Sequence, residues 1–223
     1  MKQGKILTYQ EVQNIQSGEN NESLVDVQTY DSTIVTQYEK VDMLPYTGES
    51  LFVRDTVAKK LARVNSIISK NQYRLRIVYG YRHPEIQTSY FLKRRTALRK
   101  ENPLLTEDEL DALTHNFVAV PSVAGHPTGG AIDITIIDSS GNNLDMGTSI
   151  ADFTLSEKIQ TFSPNLTEIQ KSNRKLLHDT LLQEGFAPFY GEWWHFSYGD
   201  REWACFYDIP TSLYSSIDFK ISS

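Results

Sequence analysis

The chain has 223 residues, 39% of them apolar and 22% charged, and a formal net charge of −6. That is the composition of one globular domain, large enough to bury roughly 70–75% of its unfolded surface without staples. An acidic balance withholds the basic field that nucleic acid and anionic membrane surfaces attract, which sets aside both partner classes. Cys205, alone in its type, excludes an internal disulfide framework. No stretch approaches the roughly 18 apolar residues of a membrane span, and no apolar run of secretory type follows the first lysines. A cytoplasmic location is the expectation from these features.

Residues 1–22 are polar, with too few apolar side chains to make a core face, and read as a loosely attached arm before a domain over residues 23–223. Val57, Leu61, Val64 and Ile68 recur at helical spacing and predict an amphipathic helix. The pattern then changes to period two from Tyr73 to Tyr79, a strand ending at Gly80-Tyr81-Arg82. Pro84 suits the first turn of a helix reaching about Lys100, and Thr106 with Glu109 forms a capping box that opens another. Pro121 to Gly130 reads as a loop, Ala131 to Ile137 as a strand, and Asp138 to Asn142 as a turn. A long helix covers Thr167 to Glu184 and stops at Gly185, after which Gly191 to Tyr198 reads as an aromatic strand.

The isoleucine-rich strand puts Ile132, Ile134 and Ile136 on one face and Asp133 on the other. A carboxylate in an apolar strand needs a cation, a metal or several donors to offset its lost hydration. His126 lies seven residues upstream, in a loop whose Gly129 and Gly130 can fold an imidazole back over the strand. This pair alone is nonspecific, since a buried Asp also pairs with Arg or accepts backbone N–H bonds. A second cluster, Glu192-Trp193-Trp194-His195, adds an imidazole and a carboxylate. Two histidines and one carboxylate are a protein ligand set of catalytic zinc, and the spare carboxylate is a candidate general base. Residues three apart on a regular strand face opposite ways, so a bulge near Gly191 is needed for Glu192 and His195 to converge. His83, His115 and His178 read as structural or solvated.

These segments resemble the D-alanyl-D-alanine dipeptidase (VanX-type) branch of the M15 zinc peptidases, whose motif S-x-H-x-x-G-x-A-x-D is followed far downstream by E-x-x-H. The chain has His126-Pro-Thr-Gly129-Gly-Ala131-Ile-Asp133 and Glu192-Trp-Trp-His195, with Gly80-Tyr81-Arg82, Met146-Gly147 and Asp152-Phe153 in the expected order. The resemblance implies an α+β single domain, a mostly antiparallel sheet carrying the zinc site and packed by helices, of the hedgehog/D-Ala-D-Ala-peptidase-like kind. It implies one zinc ion held by His126, Asp133 and His195, with Glu192 as catalytic base. Arg82 then stabilises the oxyanion and Asp152 holds the substrate ammonium. The implied reaction is hydrolysis of D-alanyl-D-alanine by a metal-activated water, on a small dipeptide and not on nucleic acid or membrane. The leading Ser of the motif is replaced by Ala124, and Ser122 does not stand in its place.

Two other readings compete. One is a D,D- or L,D-carboxypeptidase acting on peptidoglycan peptides, which needs an open cleft and an exported protein. The 43 residues between Arg82 and His126 favour the dipeptidase, because they can cap the cleft. The other is a zinc-containing module that only binds cell-wall peptides, against which Glu192 argues because a binder needs no base.

Overall fold

A computed structural model describes residues 1–37 and 41–221. The described strands are β1 (Leu24–Asp26), β2 (Val35–Thr36), β3 (Phe52–Arg54), β4 (Arg74–Tyr79), β5 (Ala131–Ile137), β6 (Ala187–Pro188) and β7 (His195–Ser197). The helices are α1 (Tyr9–Gln13), α2 (Leu44–Thr47), α3 (Asp55–Ile68), α4 (Pro84–Glu101), α5 (Glu107–His115), α6 (Ser156–Ile159), α7 (Glu168–Gln183) and α8 (Arg201–Phe206). The architecture is α+β. Its main sheet has the order β2-β4-β5-β7-β6, antiparallel throughout except for the parallel β2–β4 pair, and β1 pairs with β3 in a separate ribbon.

The alternation of β5 decides which side of the sheet is core. Ile132, Ile134 and Ile136 are fully buried among Leu61 and Val64 of α3 and Leu177 and Leu181 of α7. The cross-strand partners Leu75 and Ile77 on β4 lie in the same cluster, opposite Ile136 and Ile134. Asp133 is left on the opposite face. The register of β4 against β5 shifts between Ile77 and Tyr79, so Tyr79 and not Val78 pairs with Asp133. This bulge turns the end of β4, and with it Gly80 to Arg82, toward the Asp133 face.

Helices form where local signals were strong. Thr106 and Glu109 make the reciprocal capping box of α5, and Thr167 with Gln170 makes that of α7. The long helix ends before Gly185, whose φ of +84° is open to glycine at little cost. Two expectations are corrected. The arm over residues 1–22 is packed, not loose: Leu7 and Val12 are buried with Phe91, Cys205 and Phe206, and Glu19 makes a two-pronged bond to the buried Arg54 guanidinium at 3.0 and 2.8 Å. Burying those two apolar side chains contributes about 3–6 kcal/mol before entropy. The aromatic strand is also shorter, because Glu192 accepts from the His195 N–H and donates its own N–H to the Phe189 carbonyl, a turn that leaves only His195–Ser197 extended.

Candidate active site

Asp133 and His195 are directly opposed partners of β5 and β7, so both side chains leave the same face of the sheet. The backbone can make this pairing because Gly130, one residue before β5, lies against β7: a Cβ there would sit 2.4 Å from the Tyr198 carbonyl oxygen. His126 starts a single 3-10 turn that closes at Gly129, with φ of +73°, and this turn lays the imidazole over Asp133. The Glu192 turn supplies the re-aiming that a bulge at Gly191 was expected to provide. Trp193 and Trp194 behind it are buried in the core, Trp193 donating Nε1–H to Thr148 Oγ1 at 2.8 Å.

Asp133 Oδ1 lies 3.5 Å from His126 Nε2 and 3.1 Å from His195 Nδ1, and one donor atom from each residue falls within 4.8 Å of the others. His126 Nδ1 lies 2.8 Å from the Gly80 carbonyl, an acceptor only, so that nitrogen carries the hydrogen and Nε2 presents a lone pair to Asp133. Burial pushes His126 down to about 4, helped by the nearby Arg82 cation, so the ring is neutral at pH 7. A lone pair and a carboxylate oxygen facing each other in a buried site call for a cation between them. Tetrahedral sites with bonds near 2.0–2.2 Å separate their donors by about 3.3 Å, and the two observed separations bracket that value. The donor set therefore fits a metal ion.

The remaining electrostatics follow from burial and neighbours. Burial opposes ionisation of Asp133, yet the two imidazoles hold its carboxyl far below the usual range. His195 moves the other way: burial lowers it, but the Asp133 hydrogen bond and the Glu202 and Glu192 carboxylates raise it to about 9. Burial pushes Glu192 up to about 8, with Asp133 and Glu202 adding to the shift and His195 opposing it. A cation at the three donors acts in the direction of ionising Glu192 and deprotonating His195.

His126, Asp133, Glu192 and His195 open into a cavity of about 540 Å3, the size of small-molecule sites. Arg82 lines it too, nine-tenths buried, donating Nη1–H to Gln87 Oε1 at 2.8 Å with its guanidinium 4.4 Å from the Tyr79 ring. The segment between Arg82 and His126 forms much of the wall. Asp152 is not brought into the cluster. Its neighbours Ala151 and Phe153 line the cavity, while Asp152 Oδ1 accepts from Thr154 N at 3.0 Å and Thr154 Oγ1 at 2.5 Å. Ala124 lines the wall with a methyl group only.

The other histidines hold structure. His83 caps α4 and meets Asp218, and His178 lies between Asp179 and Tyr190. His115 accepts from the Val120 N–H at 3.2 Å and also lines the cavity, where burial pushes it down to about 4. Sequence reasoning missed Gln87, Tyr90 and Glu202 as wall residues. The helical spacing of the first two was a readable signal, whereas Glu202 enters only through the packing of α8.

A profile described as D-ala-D-ala dipeptidase matches residues 26–215, nearly the whole chain. A D-alanyl-D-alanine dipeptidase of Synechocystis is 35% identical over 51% of this chain and 49% of its own, so the chain spans about half the length of that relative. One of the same description from Enterococcus faecium is 26% identical over 69% of this chain and 77% of its own. Among solved structures, the LdcB LD-carboxypeptidase is 19% identical with a TM-score of 0.48, over 86% of this chain and 75% of that one, too distant to bear on substrate. With the profile matched from β1 through the donor cluster to the end of α8 and beyond, the chain belongs to the M15 D-Ala-D-Ala dipeptidase family.

Proposed function

We propose that this protein is a zinc peptidase that hydrolyses D-alanyl-D-alanine. The observation that carries the reading is the convergence of His126, Asp133, His195, Glu192 and Arg82 on one cavity. His126 Nε2, Asp133 Oδ1 and His195 Nδ1 would hold the ion. When bound there, zinc supplies a Lewis acid that acidifies water and polarises the scissile carbonyl.

The chain's own groups divide the remaining work. Glu192, buried beside the donors, takes a proton from the water that attacks the carbonyl carbon. As the C–N bond breaks, it returns that proton to the departing amine. Arg82 is steadied by Gln87 and Tyr79 and has a buried Nε–H without an acceptor among the described residues. It donates to the oxygen that gains negative charge. Asp152, held by Thr154 and set between the cavity-lining Ala151 and Phe153, would take the substrate ammonium through its second oxygen. Phe153 and Trp194, in edge contact at 5.8 Å, add an aromatic stretch to the cavity wall.

The test is Glu192→Gln, which preserves shape and removes the base. Turnover of D-alanyl-D-alanine is expected to fall by about 100- to 10,000-fold with one zinc per chain retained. Unchanged turnover in that variant removes Glu192 from the chemistry.

A further inference from the structure

We propose that Arg94 receives the free C-terminal carboxylate of the substrate and so makes the cavity select for peptides that end there; the proposal rests on the peptidase reading above. Gln87, Tyr90, Arg94 and Ala97 of α4 all line the cavity, and their spacing of three, four and three places them on one helical face. The other arginines of that helix have acidic partners. Arg95 pairs with Glu107 and with Asp111 at 2.5 Å, and Arg99 with Glu107 at 2.5 Å. Arg94 has none among the described residues. Its guanidinium carbon instead lies 4.0 Å from the centre of the Phe117 ring, which orients the plane, and its Nε–H is buried with no acceptor among the described residues.

A guanidinium cannot shed its charge to relieve that situation. An orphaned buried donor on a planar, oriented cation is best met by an anion with two oxygens, and a carboxylate matches its fork. The spacing along α4 suits a carboxylate one residue beyond the reacting carbonyl. Gln87 holds Arg82, the Tyr90 ring lies 5.3 Å from the Arg82 guanidinium, and Arg94 follows Tyr90 by one turn. One helical turn rises about 5.4 Å, and long helical side chains lean back toward the N-terminus. Arg82 and Arg94 line the same cavity, so a peptide whose carbonyl meets Arg82 presents its terminal carboxylate to the wall that carries Arg94. The methyl of Ala124 offers no competing donor on the wall.

The experiment compares D-alanyl-D-alanine with its C-terminal amide on the zinc-loaded wild type, Arg94→Gln and Arg94→Lys, reading kcat and KM separately and checking folding by thermal melt. The wild type is expected to prefer the acid. Arg94→Gln should raise KM for the acid about 10- to 100-fold, with little change in kcat and little change for the amide. Arg94→Lys, which keeps the charge without the fork, should recover part of the loss. An Arg94→Gln protein that keeps the wild-type preference for acid over amide, or that weakens both substrates equally, overturns the assignment. A wild type that hydrolyses acid and amide alike overturns it while leaving the peptidase reading intact. Hydrolysis of neither overturns both.

Discussion

Replacing Asp133 by Asn keeps the size of the side chain and removes the charge that lies between two imidazoles. In the wild type, zinc at a hundredfold excess over its dissociation constant stabilises the folded chain by about 2.7 kcal/mol. For a chain of this length each kcal/mol moves the melting temperature by about 2–4 °C, so zinc should raise it by about 5–11 °C. Asp133 Oδ1 is the atom shared by the two short separations of 3.5 and 3.1 Å, so turning the anionic donor there into a neutral amide weakens the site by more than an outer-sphere change, which alone costs about 10- to 100-fold in affinity. A hundredfold weaker site at the same zinc concentration retains about 0.4 kcal/mol, or a shift of about 1–2 °C. The assay is a pair of thermal melts, with and without zinc, for each protein. The difference within each protein is the reading, because the substitution also removes the partner that raises His195 and therefore lowers the metal-free melting temperature. An Asp133→Asn protein with an undiminished zinc shift refutes the donor assignment.

Two further outcomes are expected. A Cβ at residue 130 would sit 2.4 Å from the Tyr198 carbonyl oxygen and 3.0 Å from Thr128 Oγ1, so Gly130→Ala must open the junction of β5 and β7. Overpacking of about 1–3 kcal/mol lowers the melting temperature by about 2–12 °C, and an unchanged melt contradicts the packing described. The metal-free protein should lose stability as pH rises from 6.5 to 9. His195, raised to about 9, contributes fully below its unfolded value near 6.5 and loses that contribution as pH passes through 9. Glu192, held up near 8, penalises the folded state increasingly over the lower part of the same window. Melts across that range that stay flat or rise contradict the electrostatics of the site.

Much of the site was legible because its signals are local. An aspartate inside an isoleucine strand announces itself, and β5 keeps the alternation that its residues dictate. The helices α3, α4, α5 and α7 likewise follow from periodicity, proline placement and capping residues within a few positions. What was not legible depends on residues distant in the chain. The register shift before Tyr79 is settled by pairing with β5, and the Glu192 turn by packing of the two tryptophans. Residues 1–22 look detached because only Leu7 and Val12 are buried among many polar neighbours; the buried Arg54 that holds Glu19 lies 35 positions away.

The most direct measurement is the release of D-alanine from D-alanyl-D-alanine by zinc-loaded protein, set beside the metal-free protein and a muropeptide ending in the same dipeptide. Turnover of the dipeptide by the zinc-loaded form, lost on metal removal, restored by zinc and much weaker on the muropeptide, is the expected result. Turnover of the muropeptide without turnover of the dipeptide contradicts the proposed function.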